Sequence, residues 1–133
     1  MASNIIKGGM SRGWLLEPEA KDLCKSYGLP VGKWAVATSS TQAKELSAAL
    51  GFPVAAKIVS SDVIHKSDVG GVLLNLKDGG EVEAAFQRIK AICDSGGYRF
   101  EGVLVERMAT PGIETIIGGK RDPQFGPVIL FGL

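Results

Sequence analysis

Apolar residues recur at helical spacing through Leu16, Ala20, Leu23, Cys24 and Tyr27, which predicts a first helix. Pro18 falls near its start, where a missing N–H costs nothing, and Glu17 and Glu19 suit the positive helix end. Gly28 and Pro30 close it. Trp34 to Ala37 reads as a short strand, and Thr38, Ser39, Ser40 and Thr41 offer N-caps to a second helix. That helix sets Ala43, Leu46 and Leu50 inward and stops at Gly51. Strands follow at Val54 to Val59 and Val72 to Leu76, with Gly79-Gly80 read as a turn. Val82, Ala85, Phe86, Ile89 and Cys93 share one face of a third helix, ended by Gly96-Gly97. Gly102 to Met108, Ile113 to Gly118 and Pro127 to Phe131 read as the remaining strands.

Strands joined partly by helices and partly by tight turns predict an α/β domain, a mixed sheet with helices packed on it. Residues 1–14 show no periodicity and are expected to form a loose tail, leaving 15–133 as the domain. The chain stops at Leu133 within an apolar strand, which suggests a partial chain. A hydrophobic fraction of 45% with 22% charged residues is that of a soluble globular domain. The net charge of +1 gives no reason to expect nucleic acid or an anionic membrane as partner. No apolar run approaches the ~20 residues that span a bilayer, and the N-terminus lacks a signal-peptide core, so a cytoplasmic location is expected. Cys24 and Cys93, far apart and on apolar helix faces, read as buried free thiols.

The chemistry concentrates between Val54 and Leu76. One lysine, Lys57, interrupts an apolar strand, and a polar loop carries Ser60, Ser61, Asp62, His65, Lys66, Ser67 and Asp68. Gly70 and Gly71 then lead into the next strand. Lysines supply charge, serine hydroxyls supply directional hydrogen bonds, and a glycine pair lets backbone N–H groups approach an anion. Phosphate is the expected guest, although the Walker and dinucleotide-binding glycine spacings are both absent. Lys57 would be costly to bury unpaired, unless it lies on an edge strand and snorkels to water. His65, the only histidine, is either an ordinary loop residue or a nucleophile beside Lys66. Glu106 and Glu114 flank a tight connection, as acceptors for a base and a ribose or as solvated charges.

The order Lys57, His65-Lys66-Ser67-Asp68, Gly70-Gly71-Val72 resembles the ATP-grasp domain of NDP-forming acyl-CoA synthetases. The likeness extends over Glu106-Arg107-Met108, Glu114 eight residues on, and Arg121-Asp122-Pro123-Gln124-Phe125-Gly126-Pro127. It implies the N-terminal part of an ATP-grasp fold that handles ATP or ADP with Mg²⁺, whose ligands come from a later segment. It implies an activity interconverting acid, CoA and ATP with acyl-CoA, ADP and phosphate, and partnership with a CoA-binding or ligase subunit or fused domain. By the same resemblance Lys57, Lys66, Ser67, Gly70 and Gly71 meet phosphates and His65 relays a phosphoryl group. Backbone groups around Glu106 and Met108 read adenine, Glu114 faces ribose, and Arg121 has a weaker claim to the phosphates. Alternatives are a succinyl-CoA synthetase β-type chain, another ATP-grasp ligase, or a non-catalytic nucleotide-binding or subunit-interaction fragment.

Overall fold

The computed structural model describes all of residues 1–133. Its elements are α1 (Ala2–Met10), α2 (Glu17–Ser26), β1 (Trp34–Ala37), α3 (Ser40–Leu50), β2 (Val54–Val59) and β3 (Val72–Leu76). They continue with α4 (Gly79–Gly96), β4 (Gly102–Arg107), β5 (Ile116–Asp122) and β6 (Gly126–Gly132). A four-stranded sheet runs β1-β4-β2-β3, and β5 with β6 forms a separate two-stranded sheet.

Helices on a sheet are as expected, but every strand pairing is antiparallel. The two helical crossovers do join parallel strands, as a crossover must. Those strands are not neighbours, however. β4 lies between β1 and β2, and β2 lies between β3 and β4. Local sequence cannot show that interleaving.

Alternation in β2 sets Val54, Ala56 and Ile58 toward the core, where they meet Val103 and Val105 of β4. The inner face of α4 completes that layer, with Val82, Ala85, Phe86, Ile89 and Cys93 all buried as their spacing predicts. Phe86 meets the ring of Phe100 edge-on at 5.6 Å, a favourable aromatic geometry. Each fully buried side chain of this size contributes roughly 1.5–3 kcal/mol. Lys57 points to the opposite side of the sheet, which is the side that matters for function.

Three further expectations are corrected. Residues 2–10 form α1 instead of a tail, because Gly9 allows that helix to pack closely over Trp14 and Leu15. Gly79 and Gly80 open α4 instead of making a free turn. Asp78 caps the Glu81 N–H at 2.9 Å, and Glu81 reaches back to the Lys77 N–H at 2.7 Å, so side chains supply the helix start. The fifth strand begins at Ile116, three residues later than Ile113, so Glu114 lies in a loop. Cys93 is buried as expected and Cys24 only partly so. No helix is long and apolar enough to cross a membrane.

Candidate functional site

β2 presents Lys57 between Leu104 of β4 and Val72 of β3, away from the core. α2 lies over the same side and lowers Glu17 and Lys21 onto it. Lys57 Nζ bonds Glu17 Oε1 at 2.8 Å and Glu106 Oε2 at 2.9 Å. Glu106 Oε1 takes Lys21 Nζ at 2.5 Å, and Glu17 Oε2 takes Lys66. Three lysines therefore surround two carboxylates, which leaves one positive charge over. All five side chains are between 16% and 23% exposed, so the network is sheltered but reachable from water.

Burial is the largest influence on Glu17 and would push its carboxyl up. The hydrogen bonds and charges of Lys57 and Lys66 together outweigh it, and Glu17 is held below the ordinary 4.5. Glu106 is likewise lowered, since Lys21 and Lys57 overcome its burial. For Lys57 burial favours the neutral amine, and Glu17 and Glu106 reverse that and raise it above 10.5. The lysine therefore stays an ammonium.

The loop after β2 is fastened on one side. The Ser61 N–H donates to Glu101, Glu101 N–H to Val59 O at 3.0 Å, and Arg99 N–H to Asp62 at 2.7 Å. Its far end closes on itself. The Gly70 N–H donates to Ser67 O at 3.0 Å and the Gly71 N–H to Lys66 O at 2.8 Å. Both glycine amides are thus bonded within the loop and shape it. The amides of Ile64, His65, Lys66, Ser67 and Val69 have no acceptor within the chain, and His65, Lys66 and Ser67 among them line the cleft described next. Gly70 takes φ 72°, a left-handed conformation that suits glycine. At Gly71 a Cβ would come within 2.5 Å of Ile58 Cγ2 and 3.1 Å of Lys66 O. Gly71→Val is accordingly expected to displace the loop from Ile58 and cost about 1–3 kcal/mol in a urea titration. Wild-type stability in that variant would show that the loop does not need the close approach.

Glu17, Lys57, Ile64, His65, Lys66, Ser67, Asp68 and Val72 line one open cleft of about 420 Å³. The structure thus brings together Lys57, His65, Lys66 and Ser67, four of the expected site residues. Met108 and Glu114 line a second cleft of about 610 Å³ with Pro53, Asn75 and the turn from Ala109 to Ile113. Its floor is tied by the Met108 N–H donating to Pro53 O at 3.0 Å. The Glu106 side chain belongs to the lysine network, and strand β4 carries it toward the first cleft while Met108 leads into the second. Arg121 lies in neither cleft. It sits on β5 opposite Pro127, and Asp122 makes no ion pair with it but accepts the Gln124 and Phe125 N–H groups at 2.9 and 3.0 Å.

Glu17 and Lys21 were missed as site residues. Their i, i+4 spacing on one face of α2 was the available signal, but they read as ordinary helix charges. The residues present do not fit a magnesium site. Glu17 and Glu106 are engaged by lysines, Asp68 is the one other carboxylate lining the cleft, and no group of three or more His, Cys, Asp or Glu side chains could hold a metal.

The β subunit of acetate–CoA ligase (ADP-forming) I from Pyrococcus furiosus is 45% identical over 123 residues, which is 90% of this chain and 52% of that protein. The acetyl-coenzyme A synthetase 1 of Ca. Korarchaeum cryptofilum, in complex with coenzyme A and Ca-AMPCP, superposes with a TM-score of 0.91 at 43% identity. That match covers 99% of this chain and 59% of the other. A second structure of that synthetase, with coenzyme A, acetyl-coenzyme A and a phosphorylated phosphohistidine segment, gives a TM-score of 0.84 at 40% identity, over 99% of this chain and 58% of that one. The chain thus spans between half and three-fifths of the length of these relatives. Residues 7–133 match the ATP-grasp domain family, and the chain belongs to it.

Proposed function

We propose that this chain is the nucleotide-binding part of an NDP-forming acyl-CoA synthetase, which interconverts acid, CoA and ATP with acyl-CoA, ADP and phosphate. One observation carries the reading: Lys57, His65, Lys66 and Ser67 converge on a single cleft from strand β2 and the following loop. Two ammoniums, free loop amides and one imidazole are what a phosphoryl group and its acceptor require. The second cleft, with Met108 and Glu114, is the place for adenine and ribose. Pro53, just before β2, lines that cleft, and Lys57 within β2 lines the first, so the strand leads from one to the other.

In the proposed step the unprotonated nitrogen of neutral His65 attacks the terminal phosphorus of ATP. The nitrogen–phosphorus bond forms as the bond to the bridging oxygen breaks, and ADP leaves with that electron pair. The other ring nitrogen keeps its hydrogen. Lys57 and Lys66 offset the charge on the transferring oxygens, and the His65–Ser67 amides donate to them. The phosphoryl group then passes to a CoA-binding subunit or fused domain, where the acyl chemistry takes place. The relatives named above, which include an ADP-forming ligase β subunit and a synthetase with a phosphohistidine segment, support this assignment.

Phosphoramidates are acid-labile and base-stable, whereas phosphoserine survives acid. The holoenzyme given ATP labelled at its terminal phosphate is expected to retain an acid-labile label on the peptide carrying His65. An acid-stable label on Ser61 or Ser67, or none on this peptide, would overturn the relay.

A further inference from the structure

Glu17 gives its two carboxylate oxygens to two different lysines, Oε1 to Lys57 at 2.8 Å and Oε2 to Lys66. No other acidic group reaches Lys66. Glu17 is thus the one bridge between the strand lysine and the loop lysine, and it lines the same cleft as His65 and Ser67. An anion whose oxygens span two ammoniums is also what a phosphoryl group would be in this place.

We propose that the Glu17 carboxylate is an internal ligand occupying the phosphoryl subsite, and that a polyphosphate enters by exchanging with it on Lys57 and Lys66. The inference rests on the nucleotide-binding reading above and adds how the site is kept when empty. Three features support the exchange. The partners of Glu17 are partly exposed, so a multivalent anion can reach them from water and compete for both ammoniums. Glu106 keeps its bonds to Lys57 and Lys21, so Lys57 stays in place when Glu17 lets go. Helix α2 buries no residue fully and packs chiefly against α1, so its first turn can withdraw without opening the core. The device holds two like charges together in the empty site and gives way to triphosphate, which carries more charge than a single carboxylate.

Inorganic triphosphate is the probe, because it engages the lysines without a base. Glu17→Gln is expected to bind triphosphate about threefold to tenfold more tightly than wild type by calorimetry. Glu83→Gln removes the same charge at the remote Lys44 pair and is expected to change affinity by less than about twofold. In wild-type protein labelled at glutamate carboxyl carbons, the Glu17 resonance should move as triphosphate saturates. Equal or weaker binding by Glu17→Gln, a Glu17 signal unmoved at saturation, or no triphosphate binding by either protein would each overturn the exchange. If triphosphate behaves as described but ATP binds no better than triphosphate, the exchange stands and the adenine cleft fails instead.

Discussion

His65→Ala in the holoenzyme is expected to lower turnover by on the order of 10⁴-fold or more, the scale of losing a covalent nucleophile. ATP affinity should stay within about threefold of wild type, because the proposed phosphate contacts are Lys57, Lys66 and the loop amides. The imidazole donates no hydrogen bond within the chain, so its removal leaves no partner stranded. His65 is also exposed, so truncation opens no cavity and the fold should be unaffected. Lys66→Ala separates the roles. It should slow phosphorylation of His65 and weaken ATP binding while leaving the acceptor in place. Steady-state turnover with the label assay on both variants checks the pair. A His65→Ala enzyme with more than about a tenth of wild-type turnover would return the residue to an ordinary loop position, the bland alternative its sequence allowed.

Much of the fold was legible because local pattern and tertiary environment agree. The five apolar positions of α4 are buried together, and Ser39 caps α3 through the Gln42 N–H at 3.2 Å. Where side chains at a distance decide, the pattern was silent. α1 escaped notice because paired glycines at 8 and 9 lower helix propensity, and only the packing of Gly9 under Leu15 explains the helix. The strand order was hidden because β4 inserts between β1 and β2 from far along the chain. The site shows the same division. The loop from Lys57 to Gly71 is contiguous and carries its own signal. The counter-ions Glu17 and Glu106 lie 40 and 49 residues away from Lys57, and no periodicity links positions so far apart. A lysine within an apolar strand did announce that counter-charges were needed, without saying where.

That pairing makes Lys57→Met the most informative change to the network. The methionine keeps the packing of the stem but leaves Glu17 with Lys66 and, at 3.9 Å, Lys21, and leaves Glu106 with Lys21. Near neutral pH the loss of two charge-assisted bonds is expected to cost about 1–3 kcal/mol, toward the lower end because the groups are partly exposed. ATP binding should fall by roughly 10- to 100-fold from the lost phosphate contact. The pH dependence follows from the directions of titration. Glu17 and Glu106 are lowered in the folded chain, so their stabilisation is present above the ordinary 4.5 and lost as pH falls through their folded values. Lys57 is raised, so its share is present below 10.5 and lost as pH rises through its folded value. The stability gap between wild type and Lys57→Met should therefore be widest between these limits. It should narrow as pH falls below 4.5 and close, or reverse, once pH passes below the folded values of Glu17 and Glu106, where protonated carboxyls no longer offset the burial of an ammonium. Urea midpoints of both proteins across that range measure the gap. A gap independent of pH would mean that Lys57 acts through packing alone, with its carboxylate partners contributing nothing.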